Sequence, residues 1–337
     1  MKSIERIILL AALAALAQAC ASDKAVVGPS ASTKLAADAA GEQPQYGPWA
    51  APVNLGPVVN SSYNDNHPAI SKNDLSLYIT SGRPGGVNGA NLLQFEEIWV
   101  SQRATPDGHT MYFHSNRPGP CGLADLYVAR RHDKGDDFGW EPGANLGCVV
   151  NGPFNDNGPT YFEDETQGIT TLYFTSTRPG GPGDYDIYAS TRVGEDGDFG
   201  PAVLVPELSG PGRDTRTAIR RDGLEIFLSS DVSGRLGGVG SQDIWVSTRP
   251  TTSDLWSAPV NLGPTVNSTA FDGAPALSFD GTTLYFFSER PGGFGKRDLY
   301  VTTRARLRGQ DGAEAAAVES HEKAKARGRK ETDKKEE

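Results

Sequence analysis

Positive charge is in short supply in this sequence. Against 42 Asp and Glu stand 32 Lys and Arg, a formal net charge of -10 over 337 residues. Nucleic acid is thereby excluded as a partner, because phosphate binding is carried by clustered Lys and Arg. A sugar, a peptide or another protein remains open. Histidine is scarce too: His67, His109, His114, His132 and His321 show no metal-ligand spacing, so neither a metal nor metal catalysis is expected. No glycine-rich loop leads into a helix that would present phosphate-binding amides. The acidic turns Asp133–Asp137 and Glu195–Asp198 lack the EF-hand spacing and read as solvated loops. No cofactor is expected, and no two carboxylates are singled out as the pair that glycoside hydrolysis needs.

The longest apolar run lies at the start. Lys2 and Arg6 precede Ile7 to Ala17, a stretch too short to span a membrane but of signal-peptide length. Residues 1–19 are therefore read as an export signal. Ala17-x-Ala19 suits ordinary cleavage, while a small residue followed by Cys20 resembles the lipobox of bacterial lipoproteins, which implies a lipid anchor on Cys20. Ala21 and Ser22 then favour the outer membrane. A lipidated Cys20 leaves Cys121 and Cys148, expected as a disulfide in an oxidising compartment. Two unpaired small residues are the alternative. Residues 20–48 read as a flexible tether and 305–337 as a charged tail too poor in apolar residues to order itself.

Between these ends, over 49–304, one pattern recurs. Its copies begin at Leu77-Tyr78-Ile79, Met111-Tyr112-Phe113, Leu172-Tyr173-Phe174, Ile226-Phe227-Leu228 and Leu284-Tyr285-Phe286. Each is an apolar strand, a Gly/Pro loop and a second strand such as Asp186-Ile187-Tyr188 or Asp298-Leu299-Tyr300. The alternation predicts strands with one buried face. Arg-Pro-Gly-Gly at Arg83, Arg178 and Arg290 predicts the bend between them. A Trp-x-x-Pro-Val-Asn-Leu-Gly segment follows, at Trp49–Gly56 and Trp256–Gly263 and more weakly at Trp140–Gly147.

A unit of about 55 to 60 residues with four short antiparallel strands is a propeller blade. The predicted fold is all-β, a propeller of about five four-stranded antiparallel blades with one incomplete. The chain opens on an outer-type strand and ends on a third strand, so joining the two would close the ring and remove exposed edges. The interval from Arg83 to Arg117 is about 25 residues shorter than the others, which places the defect near Arg103.

Pro275 to Ser288, with Arg290-Pro291-Gly292-Gly293 and Asp298-Leu299-Tyr300 behind it, resembles the WD40-like β-propeller repeat of the TolB type. The resemblance implies the fold and envelope protein partners. Arg83, Arg117, Arg178 and Arg290 could bind a ligand as a ring on one face. As residues repeated in every blade they read more strongly as structural, with Arg178–Asp186 and Arg290–Asp298 as loop braces. Asp231 stands in the arginine's place in the fourth copy. The function expected from this reading is a non-catalytic, monomeric binding or scaffold module, lipid-anchored at the envelope, with an envelope protein or small ligand as partner. No catalytic residue is assigned. The alternative is a secreted carbohydrate-active propeller enzyme, sialidase-like or another glycosidase, because Ser278-x-Asp280-Gly281 faintly resembles an Asp-box.

Overall fold

A computed structural model describes residues 44–70, 77–83, 102–104, 109–133, 136, 139–194, 197–231 and 235–307. The expected signal peptide, Cys20 and nearly all of the expected tether and tail lie outside the described residues. The described residues within Ala50–Thr303 belong to one compact unit.

Strands β1 to β20 follow in chain order. β1 is Gln45–Tyr46 and β2 is Val53–Asn54. The first blade has β3 (Asp65–Ile70) and β4 (Leu77–Ser81), paired in a two-stranded sheet. The second has β5 (Gln102–Ala104), β6 (Thr110–Ser115), β7 (Asp125–Arg130) and β8 (Ala144–Asn145). In the third are β9 (Asp156–Asp164), β10 (Ile169–Ser176), β11 (Asp186–Val193) and β12 (Val203–Leu204). The fourth contains β13 (Asp214–Ile219), β14 (Glu225–Asp231), β15 (Gln242–Thr248) and β16 (Val260–Asn261). The fifth combines β17 (Asp272–Leu277), β18 (Thr283–Ser288) and β19 (Asp298–Thr303) with β2 from the start of the chain. β20 is Arg306–Leu307.

The fold is the expected all-β propeller, its blades formed among the described residues by four four-stranded sheets and the two-stranded sheet β3–β4. β2 closes the ring: Val53 pairs with Val301 and Asn54 with Tyr300, antiparallel. The Asn60 side chain then clamps Leu299, accepting from its N–H at 2.7 Å and donating to its carbonyl at 3.0 Å. Asn151 holds Leu126 and Asn267 holds Ile244 in the same way, so the junction repeats the bonding of an ordinary blade. Near Arg103 the reading is corrected. Residues 102–104, where the sequence placed the defect, pair with β6 as an inner strand of the second blade.

The core lies between blades rather than inside one. Leu172, Phe174 and Tyr188 pack with Tyr112, Leu126 and Val150 of the preceding blade. Ile187 and Leu208 pack with Ile226, Leu228 and Trp245 of the next. Each sheet therefore buries both faces, which is why six consecutive residues of β14 are buried where one buried face was expected. Burying one such side chain contributes about 1.5–3 kcal/mol.

The remaining described segments form a separate small unit. There β1 pairs with β20, Gln45 with Leu307 and Tyr46 with Arg306. Arg304 lies over the rings of Tyr46 and Trp49, at 3.9 and 4.5 Å from their centroids.

Candidate functional site

The inner strands of the first, third, fourth and fifth blades begin with an aspartate, Asp65, Asp156, Asp214 and Asp272, all fully buried. Register sets Asp156 opposite Ser176, two residues before Arg178, and Asp65 opposite Ser81, two before Arg83. The arginines therefore fold back onto the inner strand. Arg83 reaches Asp65, Arg178 reaches Asp156 and Arg290 reaches Asp272, each at 2.7 Å. The same guanidinium groups donate to the carbonyls of Val59, Val150 and Val266, and to Ser81, Ser176 and Ser288.

These facts change the sequence reading in two places. The braces run to Asp156 and Asp272, across the inner hairpin, and not to Asp186 and Asp298. In the fourth blade Arg235 fills the arginine's role, bonding Asp214 at 3.1 Å and the Leu208 carbonyl at 2.8 Å. Asp231 does not stand in for it. Arg117 donates to Ser115 and lies over the rings of Phe113 and Tyr127. Asp298 and Asp243 instead accept from the outer-strand residues Asn54 and Asn261, while burial lifts the Asp186 carboxyl above its ordinary range. Cys121 and Cys148 form a disulfide. Among the described residues no cluster of His, Cys, Asp or Glu is arranged to hold a metal.

Two residues after each inner aspartate the backbone does something unusual. His67, Gly158, Arg216 and Ala274 hold positive φ angles of 46, 61, 49 and 51° at a bulge in the register. A left-handed residue costs a non-glycine about 1–3 kcal/mol, and a bulge re-aims a side chain. The bulge amide of one blade donates to the second strand of the blade before it. Arg216 N–H bonds Thr175 Oγ1 at 3.1 Å, Ala274 N–H bonds Ser229 Oγ at 2.8 Å, and Gly158 N–H bonds His114 Nδ1 at 3.4 Å. The bulges thus stitch neighbouring blades together around the axis.

At this level the side chains gather basic groups. The Arg216 side chain crosses Gly158 so closely that a Cβ there would come within 2.8 Å of its Cδ and 3.6 Å of Nη1. Glycine at 158 is what leaves that path open. His67 Nδ1 lies 3.1 Å from Thr80 Oγ1, and the ring meets the edge of Phe287 at 5.9 Å. His67, His114 and Arg216 all keep an accessible part. Burial, and then the Arg216 charge, lower His114 to about 3. Burial again leads for His67, followed by Arg216, His114 and Arg297, and holds it well below the ordinary histidine value. Both rings are neutral near pH 7. Arg297 is itself paired with Glu289 at 2.8 Å.

Deeper along the inner strands the axis narrows to a cavity of about 30 Å³, lined by Ala69, Thr160, Thr217, Pro275 and Ala276 among others. That is room for a water and about a tenth of a small-molecule site. Arg216 immediately precedes Thr217, and His67 immediately precedes Pro68, of this lining, at the mouth of the axis.

This cluster was not among the sequence candidates. His67 and His114 were considered only as metal ligands. The signal lay in the frames Asp65-Asn66-His67-Pro68, Asp156-Asn157-Gly158-Pro159, Asp214-Thr215-Arg216-Thr217 and Asp272-Gly273-Ala274-Pro275, where the flanks recur and the third residue does not.

The sequence matches no family model and no curated protein. Among solved structures the chain is similar to a xylan β-1,4-xylosidase from Bacillus halodurans C-125, at 12% identity and a TM-score of 0.49. That match covers 74% of this chain and 54% of the other. A GH43_12 protein from a capybara gut metagenome matches at 14% identity and 0.49, over 78% and 53%. The catalytic domain of a Coprinopsis cinerea GH62 α-L-arabinofuranosidase matches at 11% and 0.47, over 77% and 97%. The likeness is one of fold. Its members are glycoside hydrolases, where the sequence reading led to a non-catalytic TolB-type scaffold. The non-catalytic expectation is corrected on this finding; of the resemblance, the propeller stands.

Proposed function

We propose that the chain is an exported carbohydrate-active propeller enzyme that engages an acidic saccharide at its axial mouth. The observation that carries this reading is the convergence of Arg216 with the neutral imidazoles of His67 and His114, at a bulge where two other blades place only glycine and alanine. A guanidinium fork matches a carboxylate in two parallel hydrogen bonds. A neutral imidazole donates through one nitrogen and takes a proton through the other, the property that general acid–base chemistry needs. The aspartates that open the inner strands stand apart from this chemistry. Asp65, Asp156, Asp214 and Asp272 are buried and bound to arginine, so they do not supply the two carboxylates of an ordinary glycosidase. In this reading Arg216 orients the acid group and a histidine moves the proton. A lipid on Cys20 would hold the enzyme at the envelope.

The test is a panel of uronate-containing and neutral oligosaccharides, followed by mass spectrometry of the products, with wild type and Arg216→Ala. Conversion confined to acidic substrates, falling at least tenfold in the variant, supports the reading. Turnover of neutral substrates that the variant leaves intact contradicts it, as does the absence of both binding and turnover across the panel.

A further inference from the structure

One residue past the left-handed bulges, one blade departs from the rest. Pro68, Pro159 and Pro275 occupy this place in the first, third and fifth blades, and Thr217 occupies it in the fourth. A proline contributes an apolar ring and no N–H, whereas a threonine contributes a hydroxyl that both donates and accepts. Pro68, Thr217 and Pro275 all line the cavity on the axis, together with Thr160 and Ala276.

The Thr217 hydroxyl is a buried group without a protein partner. The residue is 3% exposed, and its Oγ1 makes no hydrogen bond to the chain. Native structures seldom leave such a group unmatched, and an ordered water is a common match. Thr160 stands beside it: its hydroxyl donates to the Thr217 carbonyl at 2.6 Å, from the third blade to the fourth. That bond uses the one hydrogen of the Thr160 hydroxyl and leaves its oxygen able to accept. The Thr217 carbonyl keeps a second lone pair as well. A buried water needs two to four polar partners and about 10–15 Å³ of space. These groups supply the partners, and the cavity of about 30 Å³ supplies the space. No charged side chain is in the lining, so the site suits a neutral molecule rather than an ion.

We propose that the axial cavity is a binding site for one ordered water, which accepts from Thr217 Oγ1 and donates to Thr160 Oγ1. The water completes a polar bridge between the third and fourth blades, at the place where the first, third and fifth carry proline. Its residence is long, because both hydroxyls that hold it are buried. The site is built from the inner strands alone and is independent of any saccharide at the mouth.

The experiment pairs a crystal structure of the full chain with NMR cross-relaxation between water and threonine methyl groups. Wild type should show one density peak within hydrogen-bond distance of both hydroxyls, and a long-lived water contact at the Thr160 and Thr217 methyls. Thr217→Val exchanges the hydroxyl for a methyl of nearly the same size. It should lose the peak and the water contact at the Thr160 methyl, while Thr217→Ser should keep both. Should Thr217→Val not fold, the wild-type peak and its methyl contacts carry the test, and their absence still overturns the proposal. A dry cavity in wild type, with Thr217 Oγ1 turned onto a protein acceptor, overturns it. So does a peak that persists in Thr217→Val, or one whose occupancy follows the sodium or potassium in the buffer and is therefore an ion.

Discussion

At the start of the inner strands the side chains repeat from blade to blade; two residues further on only the backbone does. The first position holds Asp65, Asp156, Asp214 and Asp272, each gripped by an arginine that also ties down a valine or leucine carbonyl. The second holds His67, Gly158, Arg216 and Ala274 in one left-handed conformation. A blade needs the first set, since a buried carboxylate without its cation is a large penalty. It needs only the conformation of the second. What a repeat leaves free to vary, on an axis where the blades converge, is where ligand chemistry can be placed without damage to the fold.

The largest expected effect sharpens this contrast from the structural side. Arg178→Ala leaves Asp156 buried and unpaired, and should cost about 3–5 kcal/mol in urea unfolding. Arg216→Ala should change the same measurement by less than about 1 kcal/mol. Next in size is the disulfide. Cys121→Ser with Cys148→Ser opens a loop of 27 residues and should lower stability by about 2–4 kcal/mol, with a matching fall when wild type is reduced. Third is acid sensitivity. His114 is lowered to about 3 in the folded chain and returns to its ordinary value of 6.5 on unfolding. The unfolded chain then binds more protons, so stability declines as pH falls from about 6.5 toward 3. His114→Gln should remove about 1–2 kcal/mol of the loss seen between pH 7 and pH 5. The smallest effect on stability, and a large one on ligand, is expected at Gly158. Gly158→Ala at φ +61° should cost about 1 kcal/mol while pushing Arg216 aside and weakening binding of an acidic saccharide several-fold.

The blades were legible because their signal is local. Leu-Tyr-Phe-x-Ser, a turn and Asp-Leu-Tyr lie within a few residues of one another, and the unmatched outer strand near Val53 already implied the closure with β19. The braces were half legible. Arg178 was visible as a repeated residue, but its partner Asp156 is 22 residues upstream and is brought to it by strand register alone. Arg235 escaped notice because it is displaced four residues from the expected place at Asp231, so that only the folded loop shows it to be equivalent. The axial mouth was the least legible. A left-handed bulge has no residue signature when histidine, arginine and alanine all adopt it, and Arg216 meets His114 only once three blades have closed around the axis. The corrected function has the same origin, because the repeat spoke for blades and the reading of a scaffold followed from seeing nothing else.

The most direct test of the account is carried out on one variant. Arg216→Ala is titrated with D-glucuronate at pH 6, and its thermal unfolding is recorded beside that of wild type. The account predicts at least a tenfold loss of affinity with a melting temperature within about 4 °C of wild type, the shift that about 1 kcal/mol produces in a domain of this size. Unchanged affinity, with a melting temperature as depressed as that of Arg178→Ala, would make Arg216 one more brace and contradict it.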